Sequence, residues 1–288
     1  MPDAIAPPVL SLEGRAALVT GGGTGIGKAC AAELARAGAT VTICGPELDV
    51  LDAAAADLAA EGLGEIRTIT ADVTDEQQVR AAVEAASVDG ALDIALANAG
   101  IAMPGAIAHV TDDQWMPIIG VNILGVAHTI KQATKAMQAK GGSIIAISSI
   151  AAVRRAEFMG LYSVTKAALD ELVRVSAAEL GPFGIRVNAI RPGWVATEMV
   201  ASTTTPENMA IIAEGTPLAH LSQLGGLGLP EDIGRAVVYF ASDFSAWVTG
   251  QTLSVCGGSS LPRPSGDFGY IARMMFPDEM ARDYPDAG

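Results

Sequence analysis

Short apolar runs alternate with helical patterns along most of this 288-residue chain. The runs lie at 16–20, 41–44, 66–70, 93–97, 143–148, 186–190 and 252–255. Runs this short and this continuously apolar read as strands buried on both faces. Helical periodicity separates them at 26–37, 47–60, 75–86, 162–180 and 230–241. A longer helical stretch, 112–140, is interrupted near Gly120 and Asn122. Such an alternation predicts βαβ units, and so an α/β fold with a doubly wound parallel sheet of about seven strands and helices on both faces. Two segments stand outside the pattern: an insert rich in Thr, Gly and Leu at about 198–229, and a tail from 261 rich in Pro, Met and Asp. No linker divides the remainder, so one domain is expected over 1–288 with its core at about 12–258.

Composition narrows the possible partners. Half of the residues are hydrophobic and 17% are charged, which supplies a large core. The apolar runs stop well short of the roughly 18 residues that span a bilayer, so no membrane partner is expected. The segment from Met1 to Pro8 has no basic region, so it does not read as a secretory signal and a cytoplasmic location is expected. With 18 basic and 32 acidic residues the net charge is −14; no basic footprint for nucleic acid is present. Cys30, Cys44 and Cys256 are scattered, and His109, His128 and His220 have no paired spacing. Neither a disulfide framework nor a metal site is expected.

Candidate chemistry begins at the first strand-to-helix junction, Thr20-Gly21-Gly22-Gly23-Thr24-Gly25-Ile26-Gly27. Glycines there let a pyrophosphate approach the backbone while the helix N-terminus faces the anion. The spacing departs from Gly-x-Gly-x-x-Gly, but its place after a strand and before a helix favours nucleotide binding over a plain turn. The end of the second run reads the cofactor ribose: an acid there favours NAD and a nearby Arg favours NADP. Gly45 stands at that point and Pro46 follows. Glu47 either reaches the ribose or is a first-turn helix acid, so the choice between NAD and NADP stays open.

Tyr162 and Lys166 lie four residues apart in a helical segment, on one face and one turn apart. A phenol titrates near about 10, and a neighbouring ammonium favours its ionised form. The pair therefore reads as a tyrosine acid/base with a lowered pKa. Asp72-Val73 follows the third run, Asn98-Ala99-Gly100 the fourth, and Pro192-Gly193-Trp194-Val195-Ala196-Thr197 the sixth. Ser149 closes the fifth run thirteen residues before Tyr162, and Asn122 interrupts the long helix. Singly, each has an ordinary structural role as a cap, turn or helix interruption.

In this order and at these spacings the chain resembles the short-chain dehydrogenase/reductase family in its core single-domain form, over roughly 12–258. The resemblance implies a Rossmann-like fold and a catalytic tetrad of Asn122, Ser149, Tyr162 and Lys166. Tyr162 would exchange a proton with the substrate oxygen and Ser149 would polarise that oxygen. Lys166 would lower the tyrosine pKa and hold the nicotinamide ribose, and Asn122 would bend its helix around a proton-relaying water. It further implies cofactor contacts at Gly21, Gly25, Ile26 and Gly27, at Gly45, at Asp72 and Val73 by the adenine, along Asn98 and Gly100, and at Val195 and Thr197 by the carboxamide. Ala97 and Cys256 depart from the family's usual Asn and Asp, and 222–228 is a few residues longer than usual.

The expected function is thus an NAD(P)-dependent oxidoreductase of a secondary alcohol and ketone. Met199, Val200, Met209, Ile211, Ile212, Leu218, Leu221 and Leu224 in the insert favour an apolar small-molecule substrate, steroid-, terpenoid- or aromatic-like. A 3-oxoacyl-thioester reductase and a non-catalytic cofactor-binding regulator are the alternatives. The acidity argues against the first and the intact tetrad against the second. Family precedent implies a homo-oligomer, a tetramer or a dimer.

Overall fold

A computed structural model describes residues 10–154, 156–201 and 204–261. The expected tail therefore lies outside the described residues from 262 onward. Seven strands form one parallel sheet: β1 (Ala16–Thr20), β2 (Thr40–Gly45), β3 (Ile66–Thr70), β4 (Ile94–Ala97), β5 (Gly142–Ile147), β6 (Ile185–Pro192) and β7 (Thr252–Val255). Their order is β3-β2-β1-β4-β5-β6-β7. The chain reverses its direction of travel between β1 and β4, and a crevice opens there beyond the carboxyl ends of the strands. β6 runs past its apolar stretch because both of its edges are paired, Gly142 to Ile185 on one side and Pro192 to Val255 on the other.

Alternation along each strand feeds two cores, since successive side chains point to opposite faces. Ala17 and Val19 pack with α1 (Gly25–Arg36), through Cys30 and Leu34, and with α9 (Pro230–Ala241), through Ile233, Val237 and Phe240. Ala16 and Leu18 pack on the other face with α3 (Glu76–Ala86), α5 (Val126–Met137) and α6 (Gly160–Leu180). Val83, Ile130, Leu169 and Val173 supply that layer. α2 (Leu48–Ala60) completes the first layer with Leu51 and Leu58.

The long helical stretch resolves into α4 (Asp112–Ile119), a π-helical turn (Gly120–Gly125) and α5. Two local causes act there. Pro117 has no N–H to give the helical ladder, and the Asn122 side chain is drawn to the backbone of Ile101. A side chain on Gly125 would drive its Cβ to 2.6 Å from Val73 Cγ2, so the helix approaches the end of β3 only because that position is glycine. The insert carries two short helices, α7 (Glu198–Ala201) and α8 (Pro206–Glu214). Its far end returns to the sheet at Gly228, whose N–H donates to Trp194 O at 2.8 Å and whose carbonyl accepts from Ala196 N at 3.0 Å.

Candidate active site

A cavity of about 830 Å³ runs over the carboxyl ends of β1, β4, β5 and β6. Every residue expected in the tetrad or at the cofactor lines it, Asn122 excepted. At one end the chain leaves β1 through Gly21, at φ +63°, and enters α1 through Gly25, at φ +48°. A Cβ on Gly27 would lie 2.0 Å from Gly21 O, so the turn closes on itself at that point. The first turn of α1 carries no acid, so its N–H groups face the cavity with no carboxylate of their own helix competing for them. This tight, donor-rich cradle fits the pyrophosphate of a dinucleotide.

Asn98 lines the cavity and also braces the cradle. Its Nδ2 donates to Thr20 O at 2.9 Å and Gly21 O at 3.0 Å. Its N–H donates to Thr20 Oγ1 at 3.0 Å. The amide ties the end of β4 to the start of the turn, which spends its donors on the fold. Asp72 is similarly engaged: Oδ1 accepts from Thr74 N at 2.9 Å and from Thr74 Oγ1 at 2.8 Å. The cap of α3 is Asp75, which accepts from Gln77 N and Gln78 N. Gly45 and Pro46 border the cavity near Asp72, and no cation stands beside them among the lining residues.

At the other end Ser149 leaves β5 with its Oγ accepting from Ala151 N at 3.1 Å. Its O–H is left to donate toward the Tyr162 phenol. α6 presents Tyr162 and Lys166 to the same space, with the ammonium 5.6 Å from the phenol ring centroid. Lys166 is buried and its Nζ donates to Ile147 O at 2.7 Å. Burial pushes Lys166 down to about 8, while Asp170 one turn along pulls it upward. Asp170 is itself buried and its Oδ2 takes both Arg191 Nε at 2.9 Å and Nη2 at 2.7 Å.

The phenol does not follow the sequence expectation. Burial holds the Tyr162 pKa above its ordinary value, and the Ser149 hydroxyl opposes this only in part. Helical spacing brings a cation near the ring, but the desolvation that comes with the site sets the direction of the shift.

Asn122 lies behind the cavity, fully buried in the π-helical turn. Its Oδ1 accepts from Ile101 N at 2.9 Å, and its Nδ2 donates to Ile101 O at 2.9 Å and Thr165 Oγ1 at 3.1 Å. A Cβ on Gly100 would stand 3.4 Å from both Asn122 Oδ1 and Lys166 Nζ. Glycine at 100 therefore lets the asparagine and the lysine approach one small space from two sides.

Val195 and Thr197 wall the cavity after β6, with Thr197 Cγ2 3.2 Å from the point a Gly25 Cβ would occupy. Of the apolar insert residues, Met199, Val200, Ile211 and Ile212 line the cavity. Met209, Leu218, Leu221 and Leu224 do not. Two charged lining residues were not anticipated. Glu198 Oε2 stands 3.3 Å from the same Gly25 point, and Arg154 donates from Nη1 to Ser259 O at 2.8 Å. Both depend on segments far apart in sequence, so no local motif announces them.

A family model described as enoyl-(acyl carrier protein) reductase matches residues 21–260. A short-chain type dehydrogenase/reductase from Mycobacterium ulcerans superposes with a TM-score of 0.82 at 37% identity, covering 94% of this chain and 98% of that one. The chain belongs to the short-chain dehydrogenase/reductase family. It is accordingly an NAD(P)-dependent oxidoreductase acting on CH–OH donors. Among similar members of that family, the L-rhamnose 1-dehydrogenase (NAD(P)(+)) of Azotobacter vinelandii is 36% identical over 250 residues, 84% of this chain and 94% of its own. The cis-4-hydroxycyclohexanecarboxylate dehydrogenase of Sinomonas cyclohexanicum is 37% identical over 247 residues, 85% of this chain and 96% of its own. No helix among the described residues is long and apolar enough to cross a membrane.

Proposed function

We propose that this short-chain dehydrogenase/reductase interconverts a secondary alcohol and a ketone on a small molecule with a largely apolar body, using Tyr162 as proton donor and acceptor. The observation that carries the reading is one cavity joining a glycine cradle to Ser149, Tyr162 and Lys166. A bound nicotinamide dinucleotide supplies or accepts the hydride. Gly21, Gly25, Ile26 and Gly27 hold its pyrophosphate, Gly45, Asp72 and Val73 border the adenosine, and Val195 and Thr197 border the carboxamide.

Ser149 donates to the substrate oxygen and stabilises the charge that grows there. Tyr162 gives that oxygen a proton in reduction and removes one in oxidation. Lys166, still cationic below about 8, steadies the phenolate and holds ribose hydroxyls. Asn122 keeps the π-helical turn open beside Gly100 as a route for protons. NAD suits the adenosine end better than NADP, since a 2′-phosphate meets no cation among the lining residues beside Gly45 and Pro46. Replacing Tyr162 with Phe is expected to lower kcat by about 10²–10⁴-fold with little change in NAD binding; retained turnover overturns the mechanism.

One relative is named for a sugar, L-rhamnose, but the insert lining here is Met199, Val200, Ile211 and Ile212. Acyl-thioester reduction is the second reading, favoured by the acyl carrier protein in the family model's description. The net charge of −14 opposes an acidic carrier. Faster turnover of acetoacetyl-CoA than of simple ketones would reverse that choice. A homotetramer is also proposed. Val164 and Val175 on α6, and Trp247, Phe244 and Leu253 around β7, leave apolar surface exposed, and light scattering at monomer mass would exclude it.

A further inference from the structure

Charge is divided unevenly along the cavity. Its two lining carboxylates, Asp72 and Glu198, sit by the end of β3 and against Gly25, which is the cofactor end. Its two lining cations among the described residues are Lys166, committed to Ile147 O beside the phenol, and Arg154. Arg154 follows the short 3-10 turn that begins after Ser149, and its N–H donates to Ile150 O at 2.8 Å. Its side chain then reaches across to Ser259 O at 2.8 Å. Ser259 packs against Gly193, where an added Cβ would lie 3.1 Å from Ser259 Oγ. Gly193 itself lines the cavity, so the guanidinium is held on the cavity side, beyond Ser149 and away from the cradle.

A guanidinium offers five N–H donors, and among the described residues this side chain donates one hydrogen bond, to a neutral carbonyl. None of the carboxylates among the described residues forms an ion pair with it. The surfaces sharing that end of the cavity are apolar: Met159, Trp194, Met199, Ile211 and Ile212. Arg154 is exposed to the solvent-filled cavity and, among the described residues, has no counter-charge; an incoming carboxylate supplies one with two parallel hydrogen bonds.

We propose that Arg154 binds a carboxylate on the substrate, so that the alcohol or ketone turned over at Tyr162 belongs to an apolar hydroxy or keto acid. The proposal rests on the alcohol–ketone reading of the same cavity and sharpens its substrate class. Among the described residues no second uncommitted cation lines that end of the cavity, so a singly charged carboxylate matches it better than a phosphate dianion.

The test reads binding, independently of turnover. Cyclohexanecarboxylate, benzoate and 4-phenylbutyrate are each titrated into the NAD-saturated protein beside the matching neutral amide. Wild type is expected to bind at least one acid about tenfold or more tightly than its amide. Arg154→Met should bring that acid-to-amide ratio to within about twofold of one, and Arg154→Lys, which keeps the charge, should retain part of it. A ratio near one in wild type, no acid binding at millimolar concentration, or a ratio that survives in Arg154→Met overturns the proposal. The last result would leave Arg154 as a staple to Ser259 alone. Failure of the proton-transfer reading shows separately, as turnover retained by Tyr162→Phe.

Discussion

The two ends of the cavity are built by different means. The cofactor end is made of backbone: Gly21, Gly25 and Gly27 fold the chain onto itself, and Asn98 pins it to the neighbouring strand. Little there can move without disturbing the sheet. The substrate end is made of side chains on loops, with Met199 and Ile211 more than half exposed and Arg154 held by one hydrogen bond. A rigid half suits a ligand that is the same in every turnover, and a side-chain half can be re-cut for new substrates without refolding the first.

Gly27→Ala is the harshest test of this contrast. Its Cβ would fall 2.0 Å from Gly21 O and 2.5 Å from Asn98 Nδ2, and the backbone at Gly21, with an Asn98 amide already bonded to that turn, leaves little room for relief. We expect NAD affinity to fall by more than about 100-fold, with destabilisation of about 1–3 kcal/mol from overpacking. Calorimetric titration and thermal melts check both. Near-normal binding would mean that the cradle is softer than its contacts indicate.

At the junction of the halves, buried Lys166 makes a prediction about pH. Its folded pKa of about 8 lies below the ordinary value of 10.5, so folding disfavours its charged form. The cost is present in full below pH 8 and disappears as pH rises from 8 to 10.5, where the unfolded chain holds the extra proton. Lys166→Met is therefore expected to be more stable than wild type at pH 7 by on the order of 3 kcal/mol. That advantage should close by pH 10.5 while catalysis is lost throughout. A stability difference that does not change with pH would place the lysine in a wetter site than its burial indicates.

The same division decides what the sequence makes legible. The central strands could be read because their apolar runs are buried on both faces, and the proposed tetrad because Ser149, Tyr162 and Lys166 sit at fixed spacings on one strand end and one helix. The interruption near Asn122 was also readable, although not its form as a π-helical turn. What escapes is long-range. The sign of the Tyr162 shift depends on how deeply the fold buries the phenol, and the bracing role of Asn98 emerges only once Thr20 and Gly21 stand beside its amide. Arg154 has no visible purpose until Ser259, 105 residues later, fixes its direction.

Glu198 is where the two ends touch, and it gives the smallest and most discriminating effect. It begins the insert that walls the substrate, yet its Oε2 lies against Gly25 in the cradle. A carboxylate and a pyrophosphate repel each other at such close range, so this side chain is expected to oppose cofactor binding where it stands. Glu198→Gln removes the repulsion and is expected to tighten NAD binding by about two- to fivefold at low salt, with the gain shrinking as ionic strength rises. Weaker binding in the glutamine variant would mean that the carboxylate contributes to the cofactor site once displaced. A loop residue would then belong to the rigid half, and the two ends would be less independent than their construction implies.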